Sequence, residues 1–133
     1  MKYCLGFYFS EDFERVLMLK KNRPDFLSGK FSGLGGKVEG GERSRHAMIR
    51  KFMEEAGIET WLSDWTYIGN QSFDNGNEID VYYGYGDLSQ SRSYTDEPVH
   101  DVAIADIANY EVDGLAATLI NLCIEHAKEK YTS

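Results

Sequence analysis

Cysteine is scarce in this chain, with two in 133 residues. Cys4 and Cys123 lie in apolar segments far apart in sequence, so a disulfide framework or a cysteine-rich metal site is not expected, and both are read as buried free thiols. Long apolar runs are missing, which excludes a membrane-spanning helix. No basic-then-apolar segment opens the sequence, so no export signal is expected and the protein is placed in the cytoplasm. Basic residues are outnumbered, 14 Lys and Arg against 22 Asp and Glu, giving a formal net charge of −8. A general nucleic-acid binder needs a basic face to neutralise phosphates, and this balance argues against one. It does not exclude a phosphorylated small molecule, because divalent cations can sit between carboxylates and phosphates. Linkers, internal repeats and low-complexity stretches are also absent. The length fits one domain, residues 1–133, and 42% hydrophobic and 14% aromatic content supplies one core.

What is present is a mixed order of strand and helix signals. Tyr3 to Phe9 is aromatic and apolar, Ser10 to Glu14 is a polar turn, and Val16 to Leu19 is a short apolar hairpin partner. Lys20 to Gly29, with Pro24, reads as a loop, and Phe31 to Gly36 as a glycine-rich turn. From Ser44 to Ala56 the period becomes helical, with Met48, Ile49, Phe52, Met53 and Ala56 on one face and Gly57 as C-cap. Tyr67 to Phe73 and Glu78 to Tyr85 are strands joined by the turn Asp74-Asn75-Gly76-Asn77. Gly86 to Val99 reads as a polar surface loop and Val102 to Ile104 as a last short strand. Asp113 can cap a final helix reaching about Lys130, with Leu115, Leu119, Leu122, Cys123 and His126 inside. This order predicts an α/β sandwich, a mixed sheet between helices.

The chemistry concentrates in Gly36 to Ile58, where a glycine-rich turn feeds a helix with one apolar and one acidic face. Glu54 and Glu55 project about 100° apart on that helix, close enough to share a metal cluster. Hard cations such as Mg²⁺ prefer carboxylate, water and phosphate oxygens. Such a cluster can draw charge from a bridging phosphate and activate a water. His46, His100 and His126 have no spaced histidine or cysteine partner and read as structural or surface residues.

The stretch resembles the Nudix box, G-x(5)-E-x(7)-R-E-U-x-E-E-x-G-U with U a bulky apolar residue. Gly36, Glu42, Arg50, Phe52, Glu54, Glu55, Gly57 and Ile58 all match at the right spacing. Asn22-Arg23-Pro24 and Gly35-Gly36-Lys37-Val38-Glu39 are also similar to the family's flanks. The resemblance implies a Nudix-type α/β/α sandwich and Mg²⁺, with Mn²⁺ as a substitute. It implies Glu54, Glu55 and the Gly35 carbonyl as metal ligands, and Glu42 with Arg50 as a bracing ion pair. It places Lys37 near the phosphates and asks for a further glutamate from a later loop, for which Glu97 is the candidate and Asp96 the second. Lys51 is the departure, because the family carries a glutamate there. On the helix Lys51 projects between Glu54 and Glu55, at i,i+4 pairing distance from Glu55, where its ammonium competes with a cation.

The expected activity is Mg²⁺-dependent hydrolysis of a phosphoanhydride bond in a nucleoside diphosphate linked to another moiety. Nucleoside triphosphates, ADP-ribose, dinucleoside polyphosphates and nucleotide sugars all remain open. The catalytic set is Glu54, Glu55, Lys51 and Glu97. Lys20, Arg23 and Lys37 are candidate phosphate contacts, and Phe7, Phe73 and Tyr82 candidate base contacts. The partner is a small nucleotide, with neither general nucleic-acid nor membrane binding; a homodimer is left open. The rival reading is a catalytically weak or inactive nucleotide-binding module on the same scaffold.

Overall fold

The computed structural model describes residues 1–132. Its centre is β1, Lys2–Ser10, whose alternate side chains are apolar on both faces. Strands buried on both sides read this way because neither face meets water. β2 (Arg15–Lys20) returns antiparallel to β1, as the hairpin reading expects. Two further strands, β3 (Phe31–Ser32) and β4 (Leu34–Lys37), lie where the sequence reads as a turn. β5 (Thr66–Ser72) and β6 (Glu78–Gly86) form the second hairpin, and Gly76 takes the left-handed φ of +88° that its turn needs. β7 (Val99–Ala103) starts three residues before the expected strand and ends one before it. The sheet runs β3-β2-β1-β6-β5, with β4 also on β1 and β7 also on β2. β1 and β6 pair in parallel from Lys2↔Glu78 to Ser10↔Gly86, and the other pairings are antiparallel, so the sheet is mixed.

One helix covers each face, which makes the α/β sandwich. Helix α1, Ser44–Ala56, coincides with the expected segment and ends on Gly57 at φ +73°. Its Ala47, Met48, Phe52 and Ala56 pack on Cys4, Tyr8, Leu17, Leu34, Trp65 and Tyr82. Helix α2, Gly114–Thr132, lays Ala116, Leu119, Ile120, Cys123 and Ala127 on Phe7, Phe9, Val81 and Tyr83. Full burial of a leucine or phenylalanine side chain contributes about 1.5–3 kcal/mol, so these two layers hold the helices on. Met53 and Leu122 are corrections: they are 49% and 53% exposed, each at the margin of its helix's apolar stripe. His126 is only partly buried and hydrogen-bonds the Tyr83 hydroxyl at 2.8 Å. Both cysteines are free and buried, and burial pushes their thiols up to about 11 and about 12.

The hidden strand β4 sets up the site. Gly35 has φ +150°, and a Cβ there would stand 2.1 Å from the Cys4 carbonyl oxygen of β1. Only glycine lets these backbones approach so closely. A Cβ on Gly36 would meet the Lys51 stem at 2.6 Å, so this second glycine makes room for α1.

Candidate active site

α1 carries its acidic residues toward β4, and the two glutamates take different places. Glu55 is 6% exposed and accepts the Gly35 N–H at 2.9 Å. Burial pushes its carboxyl up to about 7; the Gly35 N–H and the charges of Lys51 and Lys21 pull the other way, and Glu97 adds to the rise. Glu54 is turned outward, and its oxygens accept Arg50 and Lys51, each at 3.2 Å. Burial works against its charge, but those two hydrogen bonds outweigh it and hold its pKa below the ordinary value. The expected i,i+4 pairing of Lys51 with Glu55 is thus corrected to an i,i+3 pair with Glu54, because Glu55 is turned inward onto Gly35.

Arg50 is the hub of the brace. Its Nε and Nη2 donate to the two oxygens of Glu42 at 3.0 Å each, and Nη2 also donates to the Lys37 carbonyl at 3.0 Å. Glu42 additionally accepts the Glu39 N–H, and the Arg50 hydrogen bonds are the main reason its pKa is lowered. One guanidinium therefore ties the loop before α1, the end of β4 and the exposed Glu54 together.

Glu97 comes in from the loop before β7 and is 5% exposed. It accepts Lys21 at 3.0 Å, the Asn22 N–H at 2.8 Å and the Arg23 N–H at 3.4 Å. Burial opposes its charge, and these donors overcome it, so its pKa is lowered. Asp96 instead faces outward onto Arg23. The sequence does not single out Lys21, because Lys20 and Arg23 stand beside it with equal claim. Lys20 is exposed, and Arg23 is committed to Asp96. Lys37 is exposed at the end of β4.

A cleft of about 450 Å³ adjoins these groups, between β1, β4, the loop at Pro24 to Leu27 and the start of α2. Gly35, Gly36 and Lys21 border it on the charged side; Tyr3, Leu5, Phe26 and Phe73 give it apolar walls. Phe73 keeps its place as a candidate base contact, 41% exposed. Phe7 and Tyr82 do not. Phe7 is wholly buried under α2, and Tyr82 lies under α1 with its hydroxyl on Ser44. A second groove of about 410 Å³, between β5 and α2, contains none of the candidate residues.

The donor chemistry fits one hard divalent cation. Glu55 and Glu97 are buried oxygen donors, and a cation would offset the burial and the Glu97 charge that raise Glu55. Glu54 is held by Arg50 and Lys51 instead, and among the described residues no three acidic, histidine or cysteine side chains converge to hold a metal.

The raised Glu55 pKa has a consequence for the metal-free protein. The folded state binds this proton more tightly than the unfolded chain, whose glutamates titrate near 4.5. The contribution of Glu55 to stability is therefore greatest below that value and declines as pH rises toward about 7, the reverse of the usual paired carboxylate. The melting temperature in chelator is expected to fall between pH 5 and 8 by about 5 °C, and Glu55→Gln to flatten the trend. An identical slope in the variant would assign the proton elsewhere.

The sequence matches the NUDIX domain family over residues 5–120. A search of curated protein sequences returned no match. Among solved structures, the chain is similar to MutT from work on Aliivibrio salmonicida and Vibrio cholerae, with 26% identity, TM-score 0.78 and coverage of 95% of this chain and 99% of that one. The NUDIX domain of Shewanella oneidensis NrtR, solved with ADP ribose, superposes with TM-score 0.80 at 14% identity, over 96% and 88% of the two chains. A bifunctional NMN adenylyltransferase/ADP ribose pyrophosphatase from Francisella tularensis, complexed with AMP and a Mn ion, gives TM-score 0.75 at 15% identity, over 94% of this chain and 41% of that one.

Proposed function

The chain belongs to the Nudix family, and from that we propose that it is a Mg²⁺-dependent hydrolase of a nucleoside diphosphate linked to another moiety. The observation that carries this is two buried carboxylates, Glu55 on the Gly35 N–H and Glu97 on Lys21, with Gly35 and Lys21 both bordering the cleft. Mn²⁺ is the expected substitute, and the likeness to MutT and the ADP ribose and AMP bound in similar structures support a nucleotide substrate. We place the protein in the cytoplasm, as one domain with a small nucleotide as partner. No helix among the described residues is long and apolar enough to cross a membrane.

Glu55, Glu97 and the Gly35 carbonyl would hold the cation, with Glu54 at its outer side. Bound Mg²⁺ polarises phosphate oxygens and acidifies water. The chain's own residues supply the rest. A carboxylate of this set that the cation leaves free can take the proton of an attacking water. The new O–P bond forms as the bridging P–O bond breaks, and a nucleoside monophosphate or similar fragment leaves. Lys37 meets the phosphate charge, while Arg50 keeps Glu54 and β4 in place. The cleft walls, Phe73 among them, exclude water from the nucleoside end.

A second reading is favoured by one observation, the Lys51 ammonium on Glu54. It is a nucleotide-binding module on the same scaffold with weak or absent chemistry. Turnover of a nucleotide panel with Mg²⁺ or Mn²⁺, read by product identification, decides between them. Calorimetry with Mn²⁺ is expected to show weak binding that Glu55→Gln abolishes and Glu54→Gln weakens further. Unchanged binding in both variants would remove the cation from this site.

A further inference from the structure

The loop at residues 91–98, between the 3-10 turn Leu88–Gln90 and β7, is fastened at two places. The first is the end of α1. The Arg92 N–H donates to the Ala56 carbonyl at 2.8 Å, satisfying one of the acceptors a helix end leaves open. The Tyr94 ring lies over Gly57, where a Cβ would stand 2.2 Å from a ring carbon. Gly57 thus has two reasons to be glycine, its left-handed φ and the ring above it. The second fastening is the segment after β2. The Asp96 carbonyl accepts the Asn22 side-chain amide at 3.0 Å, and the Pro98 carbonyl accepts the Lys20 N–H at 2.9 Å. Glu97 sits inside this second fastening, on the Asn22 N–H. Between the two, Thr95 Oγ1 accepts the Glu97 N–H at 3.2 Å, and Ser93 Oγ accepts the Val99 N–H at 2.9 Å, stiffening the span.

We propose that residues 92–97 are a strap that fixes Glu97 relative to Glu55, with Tyr94 as its positioning residue. This rests on the assignment of Glu97 to the active site. Tyr94 is 64% exposed, so burial of its ring in the core does not explain its placement. What its inner face does is hold the loop to the end of the helix that carries Glu54 and Glu55. Without the first fastening, Glu97 would be tied to the segment after β2 but not to α1, which carries Glu55. The ring against Gly57 and the Arg92 hydrogen bond restrict the loop before the ligand arrives, which is how a supporting contact preserves a metal site or a catalytic geometry.

The test uses Tyr94→Ala and Tyr94→Phe in the full chain. The outer face of the ring is in solvent and the phenol hydroxyl makes no hydrogen bond among the described residues, so both variants keep the core. In metal-free protein, Tyr94→Ala is expected to speed hydrogen exchange of the Asn22 amide, the donor to Glu97, by about tenfold. It is expected to weaken Mn²⁺ binding by about tenfold. It should lower kcat by about tenfold with little change in KM. Tyr94→Phe should behave as wild type in all three. Wild-type exchange at Asn22 together with wild-type Mn²⁺ affinity in Tyr94→Ala would overturn the strap. If the wild-type protein itself neither binds Mn²⁺ nor turns over a nucleotide, the hydrolase reading fails, and the exchange measurement still decides the strap.

Discussion

Arg50→Ala is expected to lower the melting temperature by about 10 °C, the equivalent of about 3 kcal/mol. The guanidinium makes a two-pronged contact with Glu42, a bond to the Lys37 carbonyl and a bond to Glu54, with 31% of its side chain exposed. Removing it leaves the Glu42 side chain, 19% exposed, without its main partner and frees the end of β4 from α1. Glu42→Ala should do less harm, because Arg50 keeps Glu54 and the Lys37 carbonyl. Thermal unfolding of both variants in chelator gives the comparison. Arg50→Ala with a wild-type melting temperature and no activity would show that Arg50 acts in the chemistry and not in the brace. Loss of both together is the expected result, since Glu54 and the end of β4 depend on the same guanidinium.

Much of this arrangement is legible in the sequence because the box is contiguous. A helix from Ser44 to Ala56 follows from apolar spacing, and Gly57 stops it where a left-handed residue is needed. Spacing also puts Glu54 and Glu55 on neighbouring faces. It does not say which of them turns inward. That depends on the Gly35 N–H, offered by a strand the glycines disguised as a turn. Strand alternation likewise gives the period of Phe7 and Tyr82 but not the cover on their faces. Because α1 and α2 cover both sides of the sheet, each of these rings is core. Phe73 differs because it follows the end of β5, beyond the cover of either helix. Glu97 is offered only by the resemblance, since its partners Lys21 and Asn22 lie far from it in sequence. The cleft and the Tyr94–Gly57 contact depend on pairs distant in sequence, which no local pattern encodes.

Lys51→Glu is expected to raise kcat/KM in Mg²⁺ by about tenfold, a lowering of the barrier of about 1.4 kcal/mol. As it stands, the Lys51 ammonium lies 3.2 Å from Glu54, and with Arg50 on the other oxygen it keeps that carboxylate from the cation site. The substitution removes one of those two cations and adds oxygen donors on the same face of α1. Hard cations gain affinity with each added carboxylate, so Mn²⁺ binding should tighten as the rate rises. The change is not free of consequence for the fold. Three carboxylates then stand within two turns of helix, and the Lys51–Glu54 pair is lost. That pair has 24% and 47% of its side chains exposed, so its loss should cost no more than about 0.5 kcal/mol. Metal-free protein should therefore melt only slightly lower, while Mg²⁺ should restore or exceed the wild-type temperature by binding the native state. Steady-state kinetics on the best substrate of the panel, with melting curves in chelator and in Mg²⁺, measures all of this. A variant that folds and binds Mg²⁺ more tightly but turns over more slowly would show that Lys51 belongs to the protein's own mechanism. Its stem against Gly36 would then be a built position for an ammonium facing the substrate's phosphates, and not the loss of an inherited ligand.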